Sequence, residues 1–197
     1  MGGLFALEEP AFSPQKLPVK DKDMTNRIRL KNERGQTMTE FAIVMPVLFM
    51  LILGLLDGCM VMFSVGTVRY ATVQGAQLAS QLGNAVTADD QSIRVIRDRV
   101  GTTGIFSVDE VDIYKVNQDG SGNLVADPIL FNRYAIDGSP MMPEPWPAAS
   151  RNVGNGTSDF LGVTVRFTYK WKAGFLGPLG SLRSSATQYI RLEPQSY

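Results

Sequence analysis

The strongest pattern in the chain is a long apolar run between polar flanks. From Phe41 to Val65 the run contains one charged residue, Asp57. A membrane-spanning helix needs roughly 20 predominantly apolar residues, whereas a buried core helix is shorter and amphipathic. The run therefore predicts a transmembrane helix. The alternative is a secretory signal peptide cut near 64–66, although the apolar core of such peptides is only about 7–15 residues long.

The helical pattern continues beyond the run. Small and aliphatic residues recur there at steps of three and four: Val68, Ala71, Gly75, Leu78 and Leu82. This spacing is typical of a helix with one face packed on a domain. We therefore expect a transmembrane helix over 36–65 that continues through 66–83 without a break. Gly83 suits a left-handed cap at its end.

The remaining residues, 84–197, carry the pattern of one helix followed by that of several strands. A second helix is predicted over Ala88–Val100, with Thr87 as N-cap and acids in its first turn. Four stretches are predicted as strands: Ser107–Val116, Leu124–Phe131, Phe160–Trp171 and Ala186–Leu192. The first and the third alternate between apolar and polar residues, as a half-buried strand should. The sequence therefore predicts an α+β domain, in which a small antiparallel sheet lies on the long helix.

Two connecting segments carry distinctive residues. Residues 138–158 are rich in proline and glycine and predict a long surface loop, in which we expect Trp146 to be tucked onto the sheet rather than exposed as a contact. Residues 117–128 contain Asp-Gly, a strong hairpin signal. The same segment partly matches a calcium loop, but Pro128 stands where that loop needs a bidentate glutamate.

The amino-acid composition argues against several classes of function, above all enzymes and metal-binding proteins. The chain has no histidine, one cysteine (Cys59) and a formal net charge of zero. Histidine is the commonest general base and metal ligand, and a lone cysteine forms neither an intrachain disulfide nor a cysteine-based zinc site. We therefore expect no enzyme, cofactor or metal site. The charge balance gives no indication of nucleic-acid binding.

Charge is distributed unevenly around the apolar run. The preceding segment, 1–35, carries seven lysines and arginines, whereas only Arg69 occurs in the first 20 residues after Val65. Basic flanks stay in the cytoplasm, so we expect a single pass with the N-terminus inside and the domain outside. Either Met1 or Met24 is the translation start.

The junction between the basic segment and the apolar run contains a processing motif. Residues 33–46 read ERGQTMTEFAIVMP, in which Glu40 is the fifth residue after Gly35. This motif resembles the cleavage signature of type IV prepilins. The resemblance implies that a membrane prepilin peptidase cuts between Gly35 and Gln36 and removes 1–35 as a cytoplasmic leader.

The residues that follow resemble the TadE-like family of the tight-adherence (Tad/Flp) pilus system. Residues of the family pattern are Glu40-Phe41-Ala42, Pro46, Asp57, the helical segment 66–82, Val163-Thr164-Val165, the aromatic stretch 169–171 and Arg191-Leu192-Glu193. The resemblance implies a pilin-like fold and a pseudopilin or minor pilin of the bacterial inner membrane. Its implied partners are the prepilin peptidase, other pilin subunits, an inner-membrane assembly platform and membrane lipid. The motifs do not separate TadE-like from TadF-like siblings, or a membrane-resident protein from a filament subunit.

Several positions within the helix carry specific hypotheses. Glu40 is costly in lipid and would pair with the new amine at Gln36 of a neighbouring subunit; the simpler alternative is an acid favoured by the helix dipole. Pro46 predicts a helix kink, or a tolerated membrane proline. Gly54 and Gly58 would permit close helix packing. Asp57, near the outer boundary, would reach water or a basic group of a partner subunit.

Two functions remain open from sequence. The first is a pseudopilin processed after Gly35. The second is an unprocessed single-pass membrane protein whose outer domain binds a ligand or protein.

Overall fold

The computed structural model describes residues 22–101 and 104–194, without the side chains of 22–34 and 175. Residues 1–21 of the predicted leader, including the possible start at Met1, lie outside the described residues. Contacts divide the chain into one unit of residues 1–48 and a second of residues 49–197. The expected α+β class is confirmed, because two helices precede a four-stranded antiparallel sheet.

The first helix, α1, spans Lys22–Leu82 and is longer than the sequence pattern predicted, because it begins within the predicted leader. It ends as expected. Gly83 has a φ of 57°, and its N–H donates to the carbonyl of Ala79 at 3.0 Å. Glycine adopts this left-handed conformation without the steric cost of a Cβ, so it closes the helix.

The second helix, α2, spans Ala88–Val100, the predicted bounds. Thr87 occupies the N-cap position, but its side chain makes no capping hydrogen bond; its hydroxyl accepts from Gln91 Nε2 at 2.9 Å. The apolar face packs against α1 at Gly75, where a Cβ would lie 2.5 Å from Ile96 Cγ1. Close approach of the two helices therefore requires a glycine at this point.

The sheet has the strand order β2-β1-β3-β4, and all neighbouring strands are antiparallel. The four strands are β1, Phe106–Gln118; β2, Leu124–Tyr134; β3, Phe160–Lys170; and β4, Ser181–Arg191. The predicted strands are all present, but β2 continues three residues further and β4 begins five residues earlier than predicted. The β1–β2 connection contains a hairpin turn in which Asp119 Oδ1 accepts from the N–H groups of Ser121 and Asn123.

The hydrophobic core lies between the sheet and the two helices. The predicted alternation in β3 is confirmed only in its second half. Val163, Val165, Phe167 and Tyr169 are each at most 1% exposed, but Gly162 and Thr164 on the opposite face are also buried. From α1 the core receives mainly small side chains, with Val68, Ala71, Ala76 and Ala79 fully buried. Small helix residues allow the sheet to approach the helix closely, and this explains the small-residue stripe seen in the sequence.

The Pro/Gly-rich segment 138–158 is held by a buried polar cluster. Trp146 is 3% exposed, so the expectation that it is tucked in is confirmed. Asn132 joins this tryptophan on both sides, since Nδ2 donates to the Trp146 carbonyl and Oδ1 accepts from its N–H. Arg151 stacks over the indole with its guanidinium carbon 4.6 Å from the ring centroid, and its Nη2 lies 2.7 Å from Asp89 Oδ2 and 2.6 Å from Oδ1.

Candidate functional site

The apolar run forms an exposed stretch of α1. Between Phe41 and Leu56 every large apolar side chain is exposed except that of Met45, which is half-buried. A folded protein in water seldom leaves so continuous an apolar surface open. Among the described residues, Gly35–Leu82 is the one helical stretch long and apolar enough to cross a membrane, and its most apolar part is 6% buried.

The predicted processing residues lie at the start of this stretch. Gly35 is exposed, and a Cβ at this position would meet no atom within 4 Å. Its carbonyl accepts a hydrogen bond from Thr39 Oγ1 at 3.0 Å, and Gln36 Nε2 donates to Glu40 Oε1 at 3.0 Å. The peptide bond expected to be cut is therefore helical, one turn before the carboxylate expected to act in assembly.

The other predicted helix positions are open or intermediate in exposure. Pro46 lies inside α1, and the helix is assigned on both sides of it, so the kink stays a prediction. Gly58 is exposed, and a Cβ added there would meet no atom within 4 Å, whereas Gly54 is half-buried. Cys59 is exposed and forms no disulfide with any described residue.

Asp57 has a different environment from the apolar residues around it. It is 2% exposed, although the apolar residues just before it are open. Its Oδ1 accepts from the hydroxyl of Tyr169 at 2.7 Å and from the N–H of Lys172 at 3.1 Å. Its Oδ2 accepts from the N–H of Ala173 at 2.9 Å. The carboxylate therefore joins α1 to the end of β3.

This arrangement was missed from the sequence. The hypotheses for Asp57 were water or a basic group of a partner subunit, and neither anticipated partners in the same chain. Tyr169 belonged to the aromatic stretch quoted for the family resemblance, but its role as a donor was not inferred. Burial raises the pKa of Tyr169 to about 12, and the hydrogen bond to Asp57 adds to the shift, so the phenol remains a donor at neutral pH.

A second polar connection fixes the other end of the same helix segment. Ser80 Oγ donates to the carbonyl of Arg191 at 2.7 Å, and the Ser80 carbonyl accepts from the N–H of Glu193 at 3.1 Å. The helix between Asp57 and Ser80 rises about 35 Å, and an 11-residue strand such as β3 has nearly the same length. The two connections therefore fix α1 along the full length of the sheet.

The outer face of the sheet carries a network of charged side chains. Arg133 donates to Asp112 through Nε at 2.7 Å and Nη2 at 3.3 Å, and Arg166 pairs with Asp112 and Glu110. Next to it lies an open groove of about 480 Å³ lined by Asp109, Arg183 and neighbouring residues. The three carboxylates, Asp109, Glu110 and Asp112, are each held by an arginine or a threonine.

Residues 35–77 match the family described as TadE-like protein. This segment is similar to that family. The match begins at the predicted cleavage glycine and covers the exposed apolar stretch, Asp57 and the first turns packed on the sheet. No curated protein and no solved structure gives a significant match.

The family match supports a pilin-type role for the chain. The exposed apolar helix is consistent with a membrane-anchored protein. The resemblance stated from the sequence is confirmed for this segment. Pilin-type proteins are structural pilus components, and partners of that class are other pilus subunits. The sheet domain lies outside the matched residues.

Proposed function

We propose that the chain is a minor pilin, or pseudopilin, that takes part in assembly of a Tad-type pilus. The observation that carries the proposal is the TadE-like match, which begins at Gly35 and covers the exposed apolar part of α1. Only two acids interrupt this helix between Gln36 and Val65, and one of them, Asp57, is satisfied within the chain. Glu40 is left as the acid available to another subunit.

Processing after Gly35 is part of the proposal. The glycine is exposed and uncrowded, so a protease can approach its backbone closely. A helical peptide bond must open before most proteases can bind it, and glycine weakens a helix by about 1 kcal/mol relative to alanine. Thr39 holds the carbonyl of Gly35, and this hydrogen bond must also break when the peptidase binds.

Glu40 is proposed to act in assembly once the leader is removed. In the uncut chain its carboxylate accepts from the side-chain amide of Gln36, a neutral partner. Cleavage would add a positive amine at Gln36, and a charged donor binds a carboxylate more strongly than an amide does. Pairing with the amine of an adjacent subunit would fix the register between packed helices.

The proposed membrane arrangement is a single pass with the sheet domain outside. The basic leader supports this orientation, because lysine and arginine remain on the cytoplasmic side. A prepilin peptidase and an inner-membrane assembly platform would then contact the leader side, while other pilin subunits would pack along the exposed apolar stretch.

A second function is an unprocessed membrane protein whose sheet domain binds a ligand or protein. Two observations favour it: α1 continues without a break from Lys22 through Gly35, and the outer face of the sheet has an open groove. The two functions differ in the mature N-terminus.

The mass of the intact protein from native cells, with and without the prepilin peptidase, tests the proposal. We expect a chain that begins at Gln36 only when the peptidase is present. A Gly35→Leu variant should keep its leader, whereas Gly66→Leu, at another open helical glycine, should be processed normally. A leader retained in wild-type cells with the peptidase would overturn processing and favour the second function.

A Glu40→Gln variant separates assembly from processing. We expect its leader to be removed, because the glycine is intact, and its crosslinking to other pilus subunits to be lost. Normal crosslinking would show that Glu40 is merely tolerated at the helix start.

A further inference from the structure

The loop that joins β3 to β4, residues 171–180, lies beside the apolar helix at Asp57. The N–H groups of Lys172 and Ala173 bind that carboxylate directly. Beyond them a short 3-10 helix, Gly174–Leu179, has the apolar sequence GFLGPL. This β3–β4 loop is therefore the part of the sheet domain that is hydrogen-bonded to the apolar stretch of α1.

The apolar surface of α1 extends past the level of this loop. Met62 is 78% exposed and Phe63 is 56% exposed, and they lie five and six residues beyond Asp57. At 1.5 Å per residue, this places them about 8–9 Å farther along the helix axis. If lipid covers these side chains, the loop bound to Asp57 lies at least as deep as the interfacial region of the same membrane.

The side chains of the loop suit that depth. Leu179 is 68% exposed, and Leu176 and Trp171 are half-buried. Tryptophan is enriched where the membrane meets water, because its ring is apolar and its N–H is polar. No described residue of this chain covers the exposed side chain of Leu179.

Charge around the loop indicates which kind of surface it meets. Between Lys170 and Arg183 there are three cations, Lys170, Lys172 and Arg183, and no acid. Both lysines line a groove of about 250 Å³ with Thr168 and the start of β1. Cations that flank an apolar loop favour anionic lipid headgroups, each contributing about 1 kcal/mol near a charged membrane surface.

We propose that the β3–β4 loop inserts into the headgroup region of the membrane that α1 crosses, as a second lipid contact. Leu176 and Leu179 would enter the boundary of the acyl chains, Trp171 would lie at the interface, and the two lysines would bind anionic headgroups. The loop and Asp57 together would then hold the sheet domain in a fixed orientation on the membrane surface. This inference rests on α1 spanning a membrane and not on cleavage at Gly35.

Tryptophan quenching by brominated lipids in vesicles tests the proposal with the full chain. The protein has two tryptophans, and Trp146 is buried at 3% exposure. We expect lipids brominated near the headgroup to quench wild-type fluorescence, and Trp171→Phe to abolish that quenching. Quenching should be stronger in anionic than in neutral vesicles, and Lys170→Gln with Lys172→Gln should remove the difference.

A Leu176→Asp and Leu179→Asp double variant should reduce Trp171 quenching by roughly twofold or more, because charged side chains are expelled from the acyl boundary. The matched control is Ile129→Asp, at an apolar residue of β2 that is 71% exposed; it should leave quenching unchanged. Equal quenching in the wild type, the double leucine variant and Ile129→Asp would overturn the proposal.

A separate probe distinguishes failure of the loop from failure of the membrane anchor. In the Trp171→Phe background, Met50→Trp places a reporter on the exposed apolar stretch. Quenching of this reporter by deeply brominated lipids, together with no quenching of Trp171 in the wild-type protein, would overturn the loop proposal and leave the anchor intact. Absence of quenching at both positions would overturn the loop proposal and the membrane-anchored function together.

Discussion

Two parts of the same helix differ in what surrounds their side chains. In the stretch before Asp57, large apolar residues are exposed, as in Leu51 at 64% and Leu55 at 65%. In the stretch after Ser64, one face is buried, and that face is made of small residues such as Ala71 and Ala76. The first part leaves its apolar surface exposed, whereas the second part packs one face against the sheet of the same chain.

The two acids of the apolar run follow the same division. Glu40 lies in the first part with an exposed side chain and a neutral glutamine partner. Asp57 lies at the boundary and accepts three hydrogen bonds from the sheet domain. We infer that one acid serves interactions between subunits and the other serves folding of the chain.

The largest expected effect follows from Asp57→Ala. It leaves the Tyr169 hydroxyl and two backbone N–H groups without an acceptor, and each unpaired buried group costs about 1–3 kcal/mol. We expect the free energy of unfolding to fall by about 3 kcal/mol or more, measured by urea denaturation of the full chain in detergent micelles. Glu40→Ala is the control and should change the free energy by less than about 0.5 kcal/mol. Equal effects would contradict the division between the two acids.

A smaller effect is expected at two glycines of α1. At Gly75 a methyl group would lie 2.5 Å from Ile96 Cγ1 and 3.3 Å from the carbonyl of Ser92, so Gly75→Ala should destabilise the domain by about 1–3 kcal/mol. At Gly66 a methyl group meets nothing within 4 Å, so Gly66→Ala should stabilise it by about 0.5–1 kcal/mol. The same urea experiment measures both. A destabilising Gly66→Ala would show that the face at Gly66 is also packed.

The smallest effect concerns the outer face of the sheet, on the side away from α1. The ring of Tyr114 lies against Gly162, and burial raises the pKa of its hydroxyl to about 12, with Tyr189 and Asp112 adding to the shift. The unfolded value is about 10, so the protonated hydroxyl contributes stability that is complete below about pH 10 and is lost as the pH rises through about 12.

Tyr114→Phe should therefore lessen the decline in the free energy of unfolding between about pH 8 and about pH 11 by roughly 1 kcal/mol. Urea denaturation at the two pH values measures this difference. Tyr70→Phe, at a ring that is 54% exposed, is the matched control and should leave the decline as in the wild type. An unchanged decline in Tyr114→Phe would contradict the role of this hydroxyl.

Local patterns predicted the elements whose signals are themselves local. The bounds of α2 were predicted correctly, because an apolar face, first-turn acids and last-turn arginines all occur within its 13 residues. The ends of β2 and β4 were not predicted correctly. β2 extends to Tyr134 because Asn132 and Tyr134 bind Asp89, more than 40 positions earlier in the chain. The first residues of β4 are mostly exposed and polar, and pairing with β3 decides that they form a strand.

The sequence by itself determined the apolar helix, its resemblance to TadE-like proteins and the α+β class, because each depends on the spacing of neighbouring residues. Only the tertiary structure decided that Asp57 is an internal anchor, since its partners lie 112 to 116 positions away in the chain. It also decided where the helix ceases to be exposed. The apolar run continues past Asp57 to Val65, so hydropathy does not mark that point, and the boundary is set by the place where the sheet begins to cover one face.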